Sequence, residues 1–263
     1  MEKSKLVSLI KRVITSLFLI PLVVGSVLGG YPWIIFLAWT AAALLSWEWA
    51  EMVPNKKAAV FSMIYFSITT LVMLLDSLFL GLALILVGLV LVFVKSKQEE
   101  YRKLLLLGVP YISIGIGSVL ALYAMFGPQM VLWFMFVIWS VDIGGYVFGC
   151  TIKGPKLAPK ISPNKTWAGF LGGMFLAVVV SSLYFHFFGA DEIILKYAAI
   201  SAVLAVISQI GDLIESAIKR YLGIKDSSNL IPGHGGIFDR IDGLVFAAPF
   251  AYLILRNFII FID

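Results

Sequence analysis

An all-α, polytopic membrane fold is what this chain of 263 residues predicts, on three observations. Hydrophobic residues make up 61% of it and charged residues only 13%, too little polar surface to coat a water-soluble domain of this size. Apolar stretches long enough to cross about 30 Å of hydrocarbon, at about 1.5 Å per residue, recur from one end to the other. The Lys and Arg residues gather in alternate loops, as the positive-inside rule requires.

Taken in order, nine spans are expected, at roughly 13–30, 33–50, 58–75, 77–94, 104–126, 129–149, 167–188, 194–215 and 244–262. Gly29-Gly30-Tyr31-Pro32 separates the first pair and Gly127-Pro128 divides the fifth from the sixth, because proline and glycine interrupt helices. The basic, amphipathic first 12 residues lead into the first span. No small-x-small cleavage site follows, so this span reads as a retained helix and not as a signal peptide. With the N-terminus cytoplasmic, 18 of the 20 basic residues fall in inside segments and only Lys196 and Arg256 outside, which gives an N-in, C-out topology.

The net charge of +5 needs no nucleic acid to explain it. One-sided basic loops facing anionic headgroups account for it. The single cysteine, Cys150, excludes an intramolecular disulfide. Residues 1–263 read as one membrane domain with no repeat. Residues 1–128 have short loops and few polar groups, as befits a scaffold, a homodimer surface or the wall of a lipid cavity. Residues 129–263 carry the long loops 150–166 and 216–243 and the candidate catalytic groups. Small residues four apart, Gly25 with Gly29, Gly145 with Gly149 and Gly169 with Gly173, are candidate points of close helix approach.

Asp142, Asp212 and Glu215 fall within or at the ends of spans, where a lone carboxylate costs roughly 2.5 kcal/mol or more. A metal ion, a basic partner or a water-filled cavity must compensate each. Gln209, Asp212, Glu215, Ser216 and Lys219 recur at steps of three and four, which puts them on one helix face. Glu215 and Lys219 have the spacing of a simple ion pair, whereas Asp212 has no partner in the local sequence.

The stretch from Ser216 to Asp242 is the densest polar run of the chain. Lys219, Arg220, Lys225, His234 and Arg240 interleave with Asp226, Asp239 and Asp242, the mixture that a metal and a polyphosphate need together. Pro232-Gly233-His234-Gly235-Gly236 cannot be regular helix, and a backbone of this kind can wrap an anion with its N–H groups. Asp239 offers oxygen to Mg²⁺, while Arg240 or Lys219 would take phosphate oxygens. Ser162, Asn164, Lys165 and Thr166 form a second polar string just before the seventh span, where N-caps and anions are both favoured. His186 reads as a packing or interfacial residue. Glu48 and Glu51, beside Trp47 and Trp49, read as members of an interfacial belt near Lys56 and Lys57.

These residues resemble the signature of the phosphatidate cytidylyltransferases, or CDP-diacylglycerol synthases. Ser216, Lys219, Arg220, Lys225, Asp226, Ser228, Ile231, Pro232, His234, Gly235, Gly236, Ile237, Asp239, Arg240, Ile241 and Asp242 occupy the fixed positions of that pattern without a gap. The segments Asp142–Tyr146 and Lys156–Trp167 also look like this family, and Ala168 departs from it, standing where many relatives have a polar residue. The resemblance covers the second half of the chain. The first half resembles the family only in being hydrophobic.

The resemblance implies that CTP and phosphatidate are converted to CDP-diacylglycerol and pyrophosphate with Mg²⁺, at the cytoplasmic face of a bacterial inner membrane. It also implies that Asp212 and Asp239 hold the metal, with a monovalent cation such as K⁺ as a candidate second ion. Lys219 and Arg240 are the expected catalytic partners. Asp142, Ser162, Asn164, Lys165, Thr166, Arg220, Lys225, His234, Gly235, Gly236 and Asp242 are expected to bind nucleotide and lipid phosphate. A CTP-dependent polyprenol or lipid kinase would use similar chemistry, and a cation-coupled transporter would use Asp142 and Asp212 as an ion path. Against the transporter stand the lack of interrupted helices in both halves and the concentration of polar groups on one side.

Overall fold

The computed structural model describes residues 15, 17–54, 57–74, 78–96, 99–188, 190–231 and 235–260, with backbone alone at 78, 99 and 258–260. The described chain is mostly helical, with one short hairpin and a longer irregular loop after Tyr221. Four of its helices, Trp33–Met52, Glu100–Thr151, Trp167–Phe187 and Asp191–Tyr221, are long and apolar enough to cross a bilayer. Leu17–Leu28, Ala58–Met73 and Phe79–Lys95 are shorter apolar helices. Length and composition of this kind are those of an integral membrane protein.

The chain folds as two compact units, Met1–Ala124 with Ile224–Ile241, and Met125–Gly223 with Asp242–Asp263. The first boundary lies near the change of character at residue 128. The second was not legible: residues 224–241 of the polar run 216–242 belong with the N-terminal unit.

In the first unit, α1 (Leu17–Leu28) and α2 (Trp33–Met52) precede α3 (Ala58–Met73) and α4 (Leu78–Lys95). The helix α5 (Glu99–Thr151) starts here. Neighbouring helices are tied by aromatic and hydroxyl donors, since a buried N–H or O–H needs a partner. Trp49 Nε1 donates to the Leu104 carbonyl at 3.0 Å and Tyr65 Oη to that of Leu105 at 2.8 Å. Thr69 and Ser113 hydroxyls meet at 3.0 Å. Gly108 permits this contact, because a Cβ there would lie 2.7 Å from the Trp49 ring.

α5 is broken at Gly127, whose φ of 79° only glycine adopts readily, at the Gly-Pro pair expected to separate two spans. The second unit holds the remainder of α5, then β1 (Lys156–Ala158), β2 (Ser162–Thr166), α6 (Trp167–Phe187), α7 (Ile194–Tyr221) and most of α8 (Phe238–Ile260). The strands qualify the all-α expectation. They pair antiparallel, Lys156 opposite Thr166 and Ala158 opposite Ser162, with an irregularity between that accommodates Pro163.

Close packing of α5 on α6 runs through glycine. A Cβ on Gly169 would lie 2.6 Å from the Gly145 carbonyl, and one on Gly173 would lie 2.7 Å from that of Val141. The expected pairs in these two helices are therefore contacts. Gly25 with Gly29 is not one: a Cβ on Gly25 would meet nothing within 4 Å, and one on Gly29 would meet its own segment. Trp133, fully buried, donates from Nε1 to Ser181 Oγ at 2.8 Å and stands edge-on to Tyr197 at 5.2 Å.

Candidate active site

The second unit gathers carboxylates around the C-terminal half of α7. Asp212, Glu215 and Asp242 each place a carboxylate oxygen within 4.8 Å of the others. Asp212 and Glu215 meet because they are three apart on one helix. Asp242 joins them because α7 and α8 approach closely at glycines adjacent to two of the acids. A Cβ on Gly211 would lie 2.6 Å from Phe246 Cβ, and one on Gly243 would lie 2.5 Å from Ser208 Oγ.

Glu215 and Asp242 are buried and Asp212 is half-buried. At 4.8 Å and an effective dielectric of about 20, two unit charges repel by about 3 kcal/mol. Three such acids persist together only against positive charge. Lys165 from β2 forms an ion pair with Asp212, and Lys219 lies 2.7 Å from Glu215. Ser216 Oγ donates weakly to Asp212 at 3.5 Å. Asp142 acts electrostatically on Asp242 as well. A divalent cation would offset part of the negative charge that these carboxylates bring together. The donor set, carboxylate oxygens alone, is that of a hard ion such as Mg²⁺.

The hairpin is fixed beside this cluster by its own ends. Thr166 Oγ1 accepts from Gly169 N at 3.0 Å and so caps α6, as its place before the seventh span suggested. Arg220 Nε donates to the Ile161 carbonyl at 3.2 Å. Lys165 is thereby aimed at α7, while Ser162 is half-buried and Asn164 exposed on the same strand. Gln209, the upper end of the stripe, donates to the Phe170 and Ala205 carbonyls at 3.2 and 3.3 Å.

The first unit contains the rest of the motif. Asp239 accepts at both carboxylate oxygens from Ser227 N, at 3.1 and 3.2 Å, and from Gly236 N at 2.8 Å. Gly235 takes φ 85°, and its carbonyl accepts from Ile231 N at 2.8 Å. Of the N–H groups expected to face a phosphate at this turn, that of Gly236 is thus held by Asp239, and those of Ile237 and Phe238 just beyond it are held by Glu48. Lys225 and Arg240 are exposed. His234 lies outside the described residues, as do the first 12 residues and Lys56.

Glu48 corrects the sequence reading. It is fully buried, not interfacial. It accepts from Ser227 Oγ at 3.1 Å, Ser228 Oγ at 2.6 Å, Ile237 N at 2.8 Å and Phe238 N at 2.7 Å. The last two are orphan donors at the start of α8, so a side chain of α2 caps a helix far away in sequence. No local pattern marks it; the available hint was a carboxylate inside an apolar span. Glu215 was legible as the partner of Lys219, and its place in the acidic cluster was not.

A helical membrane protein whose second unit presents a carboxylate and lysine cluster suited to a metal and to phosphate is the class defined by this geometry. The chain belongs to the Cytidylyltransferase family, whose model matches residues 10–258. It is similar to the phosphatidate cytidylyltransferase of Brucella suis, 46% identical over 128 residues, 49% of this chain and 47% of that protein. It is likewise similar to that of Bacillus subtilis, 41% identical over 133 residues, 51% and 49% of the two chains. A third relative of that name, from Haemophilus influenzae, is 43% identical over 128 residues, 47% and 44%. The chain spans about half the length of the curated relatives it matches.

Proposed function

We propose that the protein transfers the cytidylyl group of CTP to phosphatidate, giving CDP-diacylglycerol and pyrophosphate. The observation that carries this is the cluster of Asp212, Glu215 and Asp242 with Lys165 and Lys219, set in a chain with the complete Ser216–Asp242 motif and membership of the Cytidylyltransferase family.

A phosphate oxygen of the lipid attacks the α-phosphorus of CTP. The bond from that phosphorus to the bridging oxygen breaks, and pyrophosphate leaves with its electron pair. The nucleophile is already anionic at neutral pH, so no side chain needs to remove a proton. What the protein must supply is approach of two anions and relief of charge on the leaving group. Mg²⁺ held by Asp212, Glu215 and Asp242 would supply charge neutralisation, with a monovalent ion such as K⁺ as a second occupant. Asp239 is assigned to the metal by the motif alone. Lys219, Arg220, Lys225 and Arg240 would meet phosphate oxygens; Asp142, Ser162, Asn164, Lys165 and Thr166 complete the polar lining.

The same reading puts nine spans in a bacterial inner membrane, N-terminus inside and C-terminus outside, with the chemistry at the cytoplasmic face. The test is incubation of detergent-purified protein with CTP, Mg²⁺ and phosphatidate. CDP-diacylglycerol and pyrophosphate are expected. CDP with a newly phosphorylated lipid would make it a kinase, and no CTP consumption together with ion-dependent uptake in vesicles would make it a transporter.

A further inference from the structure

We infer that Glu48 is a positioning residue for the loop that carries Lys225 and for the first turn of α8, which carries Asp239 and Arg240. This rests on the cytidylyltransferase reading above.

A carboxylate buried without exposure inside an apolar helix is sustained only by strong donors. Glu48 takes all four that the described loop offers it: two hydroxyls, at Ser227 and Ser228, and two amides, at Ile237 and Phe238. These donors come from both ends of the loop, so one side chain clamps its entry to its exit. The glycine at 236 is part of the clamp, because a Cβ there would collide with Ser227 Oγ and lie 2.6 Å from Glu48 Oε1. Asp239 is oriented by the same segment through Ser227 N and Gly236 N. Phe238 is pinned from its other side by Trp49 and Tyr111, at 5.4 and 5.6 Å between ring centres. Glu48 and Trp49, adjacent on α2, thus hold the first turn of α8 by its amides and by its aromatic ring. Nothing in this arrangement exposes Glu48 to substrate; it acts through the loop.

The full-length protein in detergent, as wild type, Glu48→Gln, Ser228→Ala and the double variant, decides the matter through amide exchange and kinetics. Glu48→Gln keeps the shape but replaces one accepting oxygen by a donor. Exchange in 224–241 should rise about tenfold or more while α6 and α7 keep wild-type protection. The KM for CTP should rise about tenfold, a change that a smaller folded fraction, which lowers only the apparent kcat, does not produce. Ser228→Ala should show a milder form of both effects, and the double variant should be no worse than Glu48→Gln, since both act on one contact. Unchanged exchange in 224–241 would overturn the assignment, and so would raised exchange with an unchanged KM, which reduces Glu48 to a fold contact. If Glu48→Gln fails to fold, Ser228→Ala carries both measurements. Wild-type protein that leaves CTP untouched would sink the reaction and with it the kinetic arm, and the exchange arm would then decide whether Glu48 holds the loop.

Discussion

Asp212 faces Lys165 on one side and two further carboxylates on the other, and the proposed reaction gives it the leading role. Asp212→Asn keeps size and removes charge. Its turnover at saturating Mg²⁺ should fall about 10²-fold or more, the cost of losing one preorganised electrostatic group, as measured by pyrophosphate release. The Glu215–Lys219 pair makes a different prediction. Both side chains are nearly buried, at 2% and 11% exposure, so removing one partner takes an ion-pair contact from a buried charge. Lys219→Met should destabilise the protein by about 3 kcal/mol or more, seen as a lower melting temperature in detergent. Adding Glu215→Gln to it should recover part of that loss, and a double variant as unstable as the single would show that the pair is not the source. At this scale the sequence was informative about residue type, face and the i,i+4 pair of Glu215 with Lys219, and silent about partners distant in the chain. Asp212 had no local basic partner because its counter-ion comes from a strand 47 positions earlier, a separation no periodicity reports.

At the level of elements, glycine decides how closely helices approach. A Cβ on Gly172 would collide with Phe148, and its neighbouring atoms would follow at 2.4 and 2.6 Å. Gly172→Ala should therefore cost about 1–3 kcal/mol, as overpacking does. Gly145→Ala should be near neutral or stabilising by up to about 1 kcal/mol, since its Cβ would meet the Gly169 carbonyl at an ordinary 3.8 Å. Thermal unfolding of the two variants side by side checks the contrast. Both glycines lie in the segments singled out by small-residue spacing or adjoin them, so the interface between α5 and α6 was readable. Among the described residues the same spacing at Gly25 and Gly29 brings no other helix close, because spacing marks a smooth helix face and not the presence of a neighbour. The hairpin of β1 and β2 went unread for a related reason: three and five residues with a proline carry too little alternation to signal a strand.

For the molecule as a whole, the metal should be a stability ligand as well as a reactant partner. Without nucleotide, Mg²⁺ at about 100 times its dissociation constant should raise stability by about 2.7 kcal/mol. EDTA should reverse this, and Asp242→Asn should abolish the response. The topology offers its own check. Cys150 is exposed and is the only cysteine, so a membrane-impermeant maleimide should label the unaltered protein in inside-out vesicles and leave right-side-out vesicles unlabelled. The opposite pattern would invert the N-in, C-out assignment.

Hydropathy and the Ser216–Asp242 motif were enough, unaided, to establish a helical membrane chain and its likeness to the cytidylyltransferases. Each is a property of neighbouring residues, and local sequence expresses such properties directly. Only the tertiary structure decided that Glu48 holds a loop 180 positions away, that residues 224–241 belong with the N-terminal unit, and that Asp242 joins Asp212 and Glu215. Those outcomes depend on which apolar faces meet and how closely. Shape complementarity between distant segments sets that, and amphipathic pattern along any one of them does not.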